Sequence, residues 1–499
     1  MSWLASLRRL FRVGHPRRSA DRVTPIEATP AETASPTAVV VIGLDFGTSG
    51  TKVIVRLLAK GRPASAVDFG TDHPGFSRFS FPSTIALDDS RFLFGVEAEN
   101  HDVGTVFRSL KRTLITTNGD PRHLAASEVP PHPQDLGAHP HFLVAAYLGA
   151  VLRQVRELAA GEYGPDAEFL YNLDIPVSQL DGGRVQRGYQ TVLDAAVDFA
   201  ETDDLQLDDY RALWERWVDV LNRESTGSPE QELKRWELIP ESSAIVKGAE
   251  AALASIVPNS RRYTAIVDIG AGTTDLGWFK WISSDEENSV FFFSAKTSLV
   301  GCDDVDDRLL DILAVSDIDR PLLFPLVREA KPKLHADRQV SIAEGCRPLG
   351  PNDLDQAADE VAERSFDAYG VSFGEAYKKE KNTDRWQDIR VNLVGGGSQL
   401  DGFRRRFGQH PRPWFGRNVD LLIPGSSTSV GSAAKQLGAM GSSSVPPTDA
   451  DIVFLLPALG LSNPAIHIPD PTLPEDIAPL QHGPRGPTGL YKYEAPDDD

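Results

Sequence analysis

Two stretches of this 499-residue chain repeat one local design, and that repeat constrains the fold more than any other feature. The first reads IGLDFGTSGTK over residues 42–52, and the second reads IVDIGAGTTDLG over residues 266–277. Each is an apolar run, an Asp near its end, a turn of Gly and hydroxyl residues, and a resumed run. Short apolar runs bounded by glycine are the signature of buried strands. Strand–turn–strand units that recur among helical patterns predict an α/β chain of two similar lobes, each a mixed sheet flanked by helices.

The rest of the body fits that frame. Residues 80–95 read as a strand pair around an Asp-Asp turn, 141–159 as a helix, and 169–177 as a strand. Residues 182–236 predict one or more amphipathic helices, with Trp214, Trp217 and Trp236 as core. Residues 242–254 continue as a helix, 301–390 are mostly helical, and 391–403 are a strand, a Gly turn and a helix start. The proline-rich stretch 117–140 reads as a loop. Its His123, His132 and His139 fit no tight metal-ligand spacing.

Four segments are therefore expected. Residues 1–37 form a basic tail and 38–258 the first lobe. Residues 259–440 form the second lobe, whose last helix returns to the first, and 441–499 form a proline-rich tail. In that last tail only the run Ile452 to Leu456 is apolar enough to dock on the body. Near the N-terminus, Trp3, Leu4, Leu7, Leu10 and Phe11 share one helical face beside several arginines. The pattern reads first as a disordered basic tail or a partner-binding helix, and it also suits peripheral membrane contact through residues 3–18.

Composition narrows the function classes. Lys and Arg total 51 against 71 Asp and Glu, a net charge of −20, which argues against nucleic acid as a partner. No apolar run approaches the roughly 18–20 residues of a membrane span. The two cysteines, Cys302 and Cys346, are too few for a disulfide framework and point to a cytoplasmic protein. Cys302 is expected to be a plain small residue. The acidic run Asp303, Asp304, Asp306 and Asp307 is expected to favour the positive end of a helix.

The turns suggest phosphate chemistry. Glycines bring backbone N–H groups close to an anion, and hydroxyls add donors. Gly47, Thr48 and Ser49 in the first turn, with Gly270, Gly272, Thr273 and Thr274 in the second, would grip a polyphosphate from both sides. Asp45 and Asp268 end the strands beside them and suit a hydrated Mg²⁺ held through water. Either would also orient an attacking water. A third turn, Gly395-Gly396-Gly397-Ser398, offers bare backbone to a flat nucleoside. None of the three has the spacing of a P-loop or of G-x-G-x-x-G.

In this order the residues resemble the actin-like ATPase superfamily, which includes actin, hexokinase-type sugar kinases, bacterial shape and division filaments, and the 70-kDa heat-shock chaperones. GLDFGTSGTK is similar to its first phosphate motif and VDIGAGTTDLG to its second. LVGGGSQLDG resembles its adenosine motif, and ESSAIVKGAEAA the helix connecting the lobes. The chaperone branch is favoured by FPSTIAL with FLFGVEAE, by DIPVSQLD and by VGCDDVDDRLL. VFRSLKRTL is similar to the segment with the chaperones' catalytic lysine, which implies that role for Lys111. REAKPKL resembles their adenine-packing helix, which implies a nucleotide contact for Lys331.

The resemblance implies ATP or ADP with Mg²⁺, slow hydrolysis and switching by lobe closure. Asp45, Lys111, Asp268, Asp275 and Glu241 would be the catalytic group. It implies a protein partner or client but names none. The departures are equally specific. Ile239 stands where the chaperones place a hydrolytic Glu, with Glu241 two positions later. Pro332 replaces an adenine-packing Arg, residues 182–236 look like an insertion, and no client-binding domain follows. Two alternatives follow: a non-hydrolysing nucleotide sensor or scaffold, and a membrane-associated actin-like cytoskeletal protein. A sugar kinase fits the first motif but not the second.

Overall fold

A computed structural model describes residues 38–464, apart from short stretches of which 117–139, 177–183, 224–235, 253–262 and 424–436 are the longest. The N-terminal segment 1–37, the three loop histidines and residues 465–499 lie outside the described residues.

The N-terminal half begins with β1 (Val39–Phe46), β2 (Gly50–Leu57) and β3 (Ser65–Asp68). β4 (Ser80–Pro82), β5 (Ile85–Asp88), β6 (Arg91–Phe94), α1 (Val96–Glu99) and β7 (Thr105–Phe107) follow. α2 (Leu110–Thr116), α3 (Pro140–Tyr163), β8 (Glu168–Ile175), α4 (Arg184–Ala200), α5 (Leu207–Arg223), β9 (Trp236–Pro240) and α6 (Glu241–Ala252) complete it.

The C-terminal half runs β10 (Thr264–Ile269), β11 (Thr274–Ser283), β12 (Asn288–Ser298), α7 (Cys302–Ile312), α8 (Arg320–His335) and α9 (Pro351–Lys379). β13 (Asp388–Val394), α10 (Asp401–Phe407), β14 (Asn418–Leu422), β15 (Gly438–Gly441), α11 (Asp449–Phe454) and α12 (Leu456–Leu461) close the described chain.

The repeat extends from sequence to topology. One mixed sheet has the order β15-β3-β2-β1-β8-β9, with β4 added to β2, and the other has the order β12-β11-β10-β13-β14. In each, the first strand of the half is central: β1 is antiparallel to β2 and parallel to β8, and β10 is antiparallel to β11 and parallel to β13. β5, β6 and β7 form a separate small sheet. A central strand is covered on both faces, which explains why VVVIGLDF and TAIVDI read as nearly unbroken apolar runs.

Alternation decides which core each side chain joins. Val40, Ile42, Leu44 and Phe46 pack with α3, α4 and α5 in the N-terminal core. Ala265, Val267 and Ile269 pack with α7, α8 and α9 in the C-terminal core. Ile54, Ile266, Phe279 and Val394 face the other way and meet Ile245, Val246, Leu455, Leu456 and Leu459 in a third cluster. α6 and α12 thus lie between the two sheets.

Two expectations change here. Residues 182–236 are more than a decoration: Tyr189, Val192, Phe199, Tyr210 and Trp214 belong to the N-terminal core. Trp217 is half-buried and donates to Asp198 through its indole N–H. The body also does not end at residue 440. β15 adds to the N-terminal sheet beside β3, and α12 packs on α6 and β1. Pro457 opens α12 rather than interrupts it, since it sits in the first turn.

Candidate functional site

The two repeated hairpins differ at one register position, and that difference sets the electrostatics. In the first, Asp45 lies opposite Lys52 and pairs with it at 3.1 Å. In the second, Asp268 lies opposite Asp275, so two carboxylates face each other. Like charges on a cross-strand pair repel. The turns themselves touch, since a methyl group added to Gly272 would lie 2.8 Å from the Thr48 side chain. The third turn packs on the second. At Gly395, where φ is +77°, a Cβ would stand 2.2 Å from an Asp268 carboxylate oxygen. Both the backbone conformation and the close approach therefore require glycine there.

A cavity of about 400 Å³ opens where the three turns meet. Asp45, Gly47, Thr48 and Ser49 line it from the first turn, Asp268, Gly270 and Thr273 from the second, and Gly395 and Gly396 from the third. Lys111, Glu241 and Lys331 also line it. The remaining expected residues lie behind this wall. Asp275 accepts from Thr297 Oγ1 at 2.6 Å and Thr273 Oγ1 at 3.2 Å, so it steadies the turn. Thr274 donates to the Val300 carbonyl, Gly397 packs on Ile269 and Cys302, and Ser398 is buried in a short 3-10 turn. Gly272 makes the Thr48 contact. Asp275, Thr274, Gly272, Gly397 and Ser398 are therefore not among the residues that line the cavity.

Lys111 is enclosed. It is 1 % exposed, and its ammonium donates to Asp174 Oδ2 at 2.8 Å and Glu241 Oε2 at 3.1 Å. Burial disfavours the charged lysine, but Asp174 and Glu241 outweigh it and hold the ammonium's pKa well above its usual value. Burial pushes the Asp174 carboxyl up to about 6 even beside Lys111, with Asp45 adding to the rise. Both partners of one ion pair thus bind protons more tightly. The surplus of carboxylates explains this, because oxygens of Asp45, Asp174 and Glu241 converge within 4.8 Å. The raised lysine pKa keeps Lys111 charged. Burial, reinforced by Asp275, raises Glu241 well above the carboxylate range, and burial with Asp45 and Asp275 raises Asp268 to about 7.

The wall on the C-terminal side comes from α7 and α8. Lys331 donates to Asp306 Oδ2 at 2.8 Å, and Arg328 to Asp303 Oδ1 at 2.9 Å. Asp304 accepts from the Gly301 N–H at 3.0 Å and pairs with Arg364 at 3.1 Å. The acidic run thus does more than face a helix dipole, because each of its members holds a specific partner, Asp307 pairing with Arg320 at 3.8 Å. Pro332, His335 and Gln399 complete this side. Cys302 lines the cavity too, and burial pushes its thiol up to about 12, which keeps it a thiol at neutral pH.

Two groups of residues at the site, Asp174 behind the wall and three residues on it, are not singled out by the sequence signals. Asp174 ends the apolar strand LYNLDI just as Asp45 ends β1, and that shared position is the signal that marks it. Val453, Phe454 and Pro457 line the cavity from a segment that reads as tail, and the Phe454 ring lies 4.6 Å from the Lys52 ammonium. Ile239 is buried against Ala244 and Leu461.

The chain matches no protein-family model and no curated protein. Among the described residues, no helix is long and apolar enough to cross a membrane.

Proposed function

We propose that the cavity binds a nucleotide and that the chain is an ATP-binding, chaperone-like member of the actin-like ATPase superfamily. It would be a slow Mg²⁺-dependent ATPase with two lobes that close on the nucleotide. The observation that carries this reading is the contact between the two repeated turns, Gly272 on Thr48, at a cavity that the third Gly turn also lines. A volume of about 400 Å³ suits a small organic ligand.

The donor set fits Mg²⁺. The carboxylates at the turns are oxygen donors, and the ionised site carries more negative than positive charge. Asp45 and Asp268 would hold the ion through its waters. When bound it would neutralise charge on the phosphates. In hydrolysis the water oxygen bonds to the γ-phosphorus. The bond to the bridging oxygen breaks with its electron pair left on ADP, and the water's proton passes to the released phosphate. Lys111 would stabilise charge on the transferred group, the two turns would cradle the phosphates, and Lys331 would contact the nucleoside.

A second reading, a non-hydrolysing nucleotide sensor, is favoured by Ile239 and by the Glu241 carboxylate already committed to Lys111. Single-turnover hydrolysis with Mg²⁺ and ATP, with Asp268→Ala and Lys111→Ala beside the wild type, separates the two. Turnover that both variants lose supports the ATPase. Tight binding without turnover supports the sensor. Absence of ATP binding refutes both.

A further inference from the structure

Asp174 joins the first Gly turn to Lys111. It is fully buried at the end of β8. Its Oδ1 accepts from the Phe46 N–H at 2.7 Å, at the residue just before Gly47, and its Oδ2 accepts from Lys111 Nζ at 2.8 Å. Glu241, the first residue of α6, takes a second lysine N–H. An ammonium has three donors. Two carboxylates on two different elements thus fix it, and the third N–H remains for the cavity that Lys111 lines.

From this geometry we infer that Asp174 is a positioning residue that sets the Phe46–Gly47–Thr48 backbone and the Lys111 ammonium together, so that both meet the same phosphate. The inference rests on the ATPase reading above. Asp174 does not touch the reacting atoms and acts through Lys111. Partners that orient a catalytic group through hydrogen bonds matter nearly as much as the group itself.

Asp174→Asn separates the two bonds. The amide oxygen still accepts from Phe46, while the charge facing Lys111 is lost. On the full chain with Mg²⁺ and ATP, kcat should fall roughly 10- to 100-fold with KM nearly unchanged. Asp174→Ala also frees the Phe46 N–H, and there KM should rise as well. Lys111→Met provides the decisive background. If Asp174 works through Lys111, adding Asp174→Asn to Lys111→Met causes no further loss in the single-turnover rate. That double variant removes both charges together, so it also serves if the single variant does not fold.

The proposal is overturned if Asp174→Asn turns over within twofold of the wild type. It is also overturned if the two losses multiply in the double variant. A merely structural role would lower melting temperature, affinity and rate together. If wild-type protein binds no ATP, the ATPase reading fails and the proposal falls with it. Normal turnover in both wild type and Asp174→Asn defeats the proposal alone.

Discussion

Replacing Gly248 by alanine places a methyl group 1.9 Å from the carbonyl oxygen of Leu456, where a carbon–oxygen contact needs about 3 Å. The contact is reciprocal, since a methyl at Gly460 would lie 1.9 Å from the carbonyl oxygen of Ala244. α6 and α12 therefore cross backbone to backbone, and relief needs a shift of about 1 Å. α12 has little room to give it. Asn172 donates to the carbonyls of Leu461 and Asn463 at 2.7 and 2.8 Å. Arg56 donates to Ser462 Oγ at 3.1 Å, and Gly43 packs against the Ser462 backbone. Overpacking costs about 1–3 kcal/mol, offset by up to about 1 kcal/mol from alanine's helix propensity. With backbone as the obstacle, the net loss should be about 2 kcal/mol, a drop in melting temperature of roughly 2–3 °C for a body of this size. Gly370→Ala is the matched control, because nothing lies within 4 Å of its Cβ inside α9, and it should gain up to about 1 kcal/mol. Thermal unfolding of the three full-length proteins in one buffer decides the matter. If Gly248→Ala melts at or above Gly370→Ala, the close crossing is wrong. Glu241 opens α6, Pro457 lies in the first turn of α12 and both line the cavity, so Gly248→Ala should also weaken the nucleotide binding proposed for it.

Two further outcomes are expected. Asp268 titrates at about 7 in the folded protein against 3.8 for a free carboxyl. A folded-state pKa raised in this way stabilises the fold fully below about pH 4, and that contribution is lost as pH rises through about 7. At about 1.4 kcal/mol per pH unit the loss is at most on the order of 4 kcal/mol. Asp268→Asn should therefore melt above wild type at pH 8 in EDTA and by a smaller margin at pH 5, and a lower melting temperature at pH 8 counts against the reading. Ending the chain after Gly441 removes α11 and α12 and bares Ile245, Val246 and Ile266. The shortened protein should melt lower and bind a hydrophobic dye, whereas unchanged melting would show that the segment contributes nothing to the core.

The sequence by itself determined the parts whose physics is local. An apolar run, a glycine turn and a second run form a hairpin from alternation and turn chemistry alone, so both repeats, their Asp residues and the third Gly turn were legible before any contact was known. The tertiary structure alone decided what those parts meet. Asp45 and Asp268 occupy equivalent places in the repeat, yet one faces Lys52 and the other Asp275, and cross-strand register settles which. Asp174 reaches Lys111 across 63 residues and Glu241 reaches it across 130, so no local pattern announces either bond. α11 and α12 have six residues each, too few to hold a helix by propensity, and the proline-rich stretch around them reads as tail. Burial between two sheets makes them helices, because a short apolar segment gains its free energy from the surface that covers it.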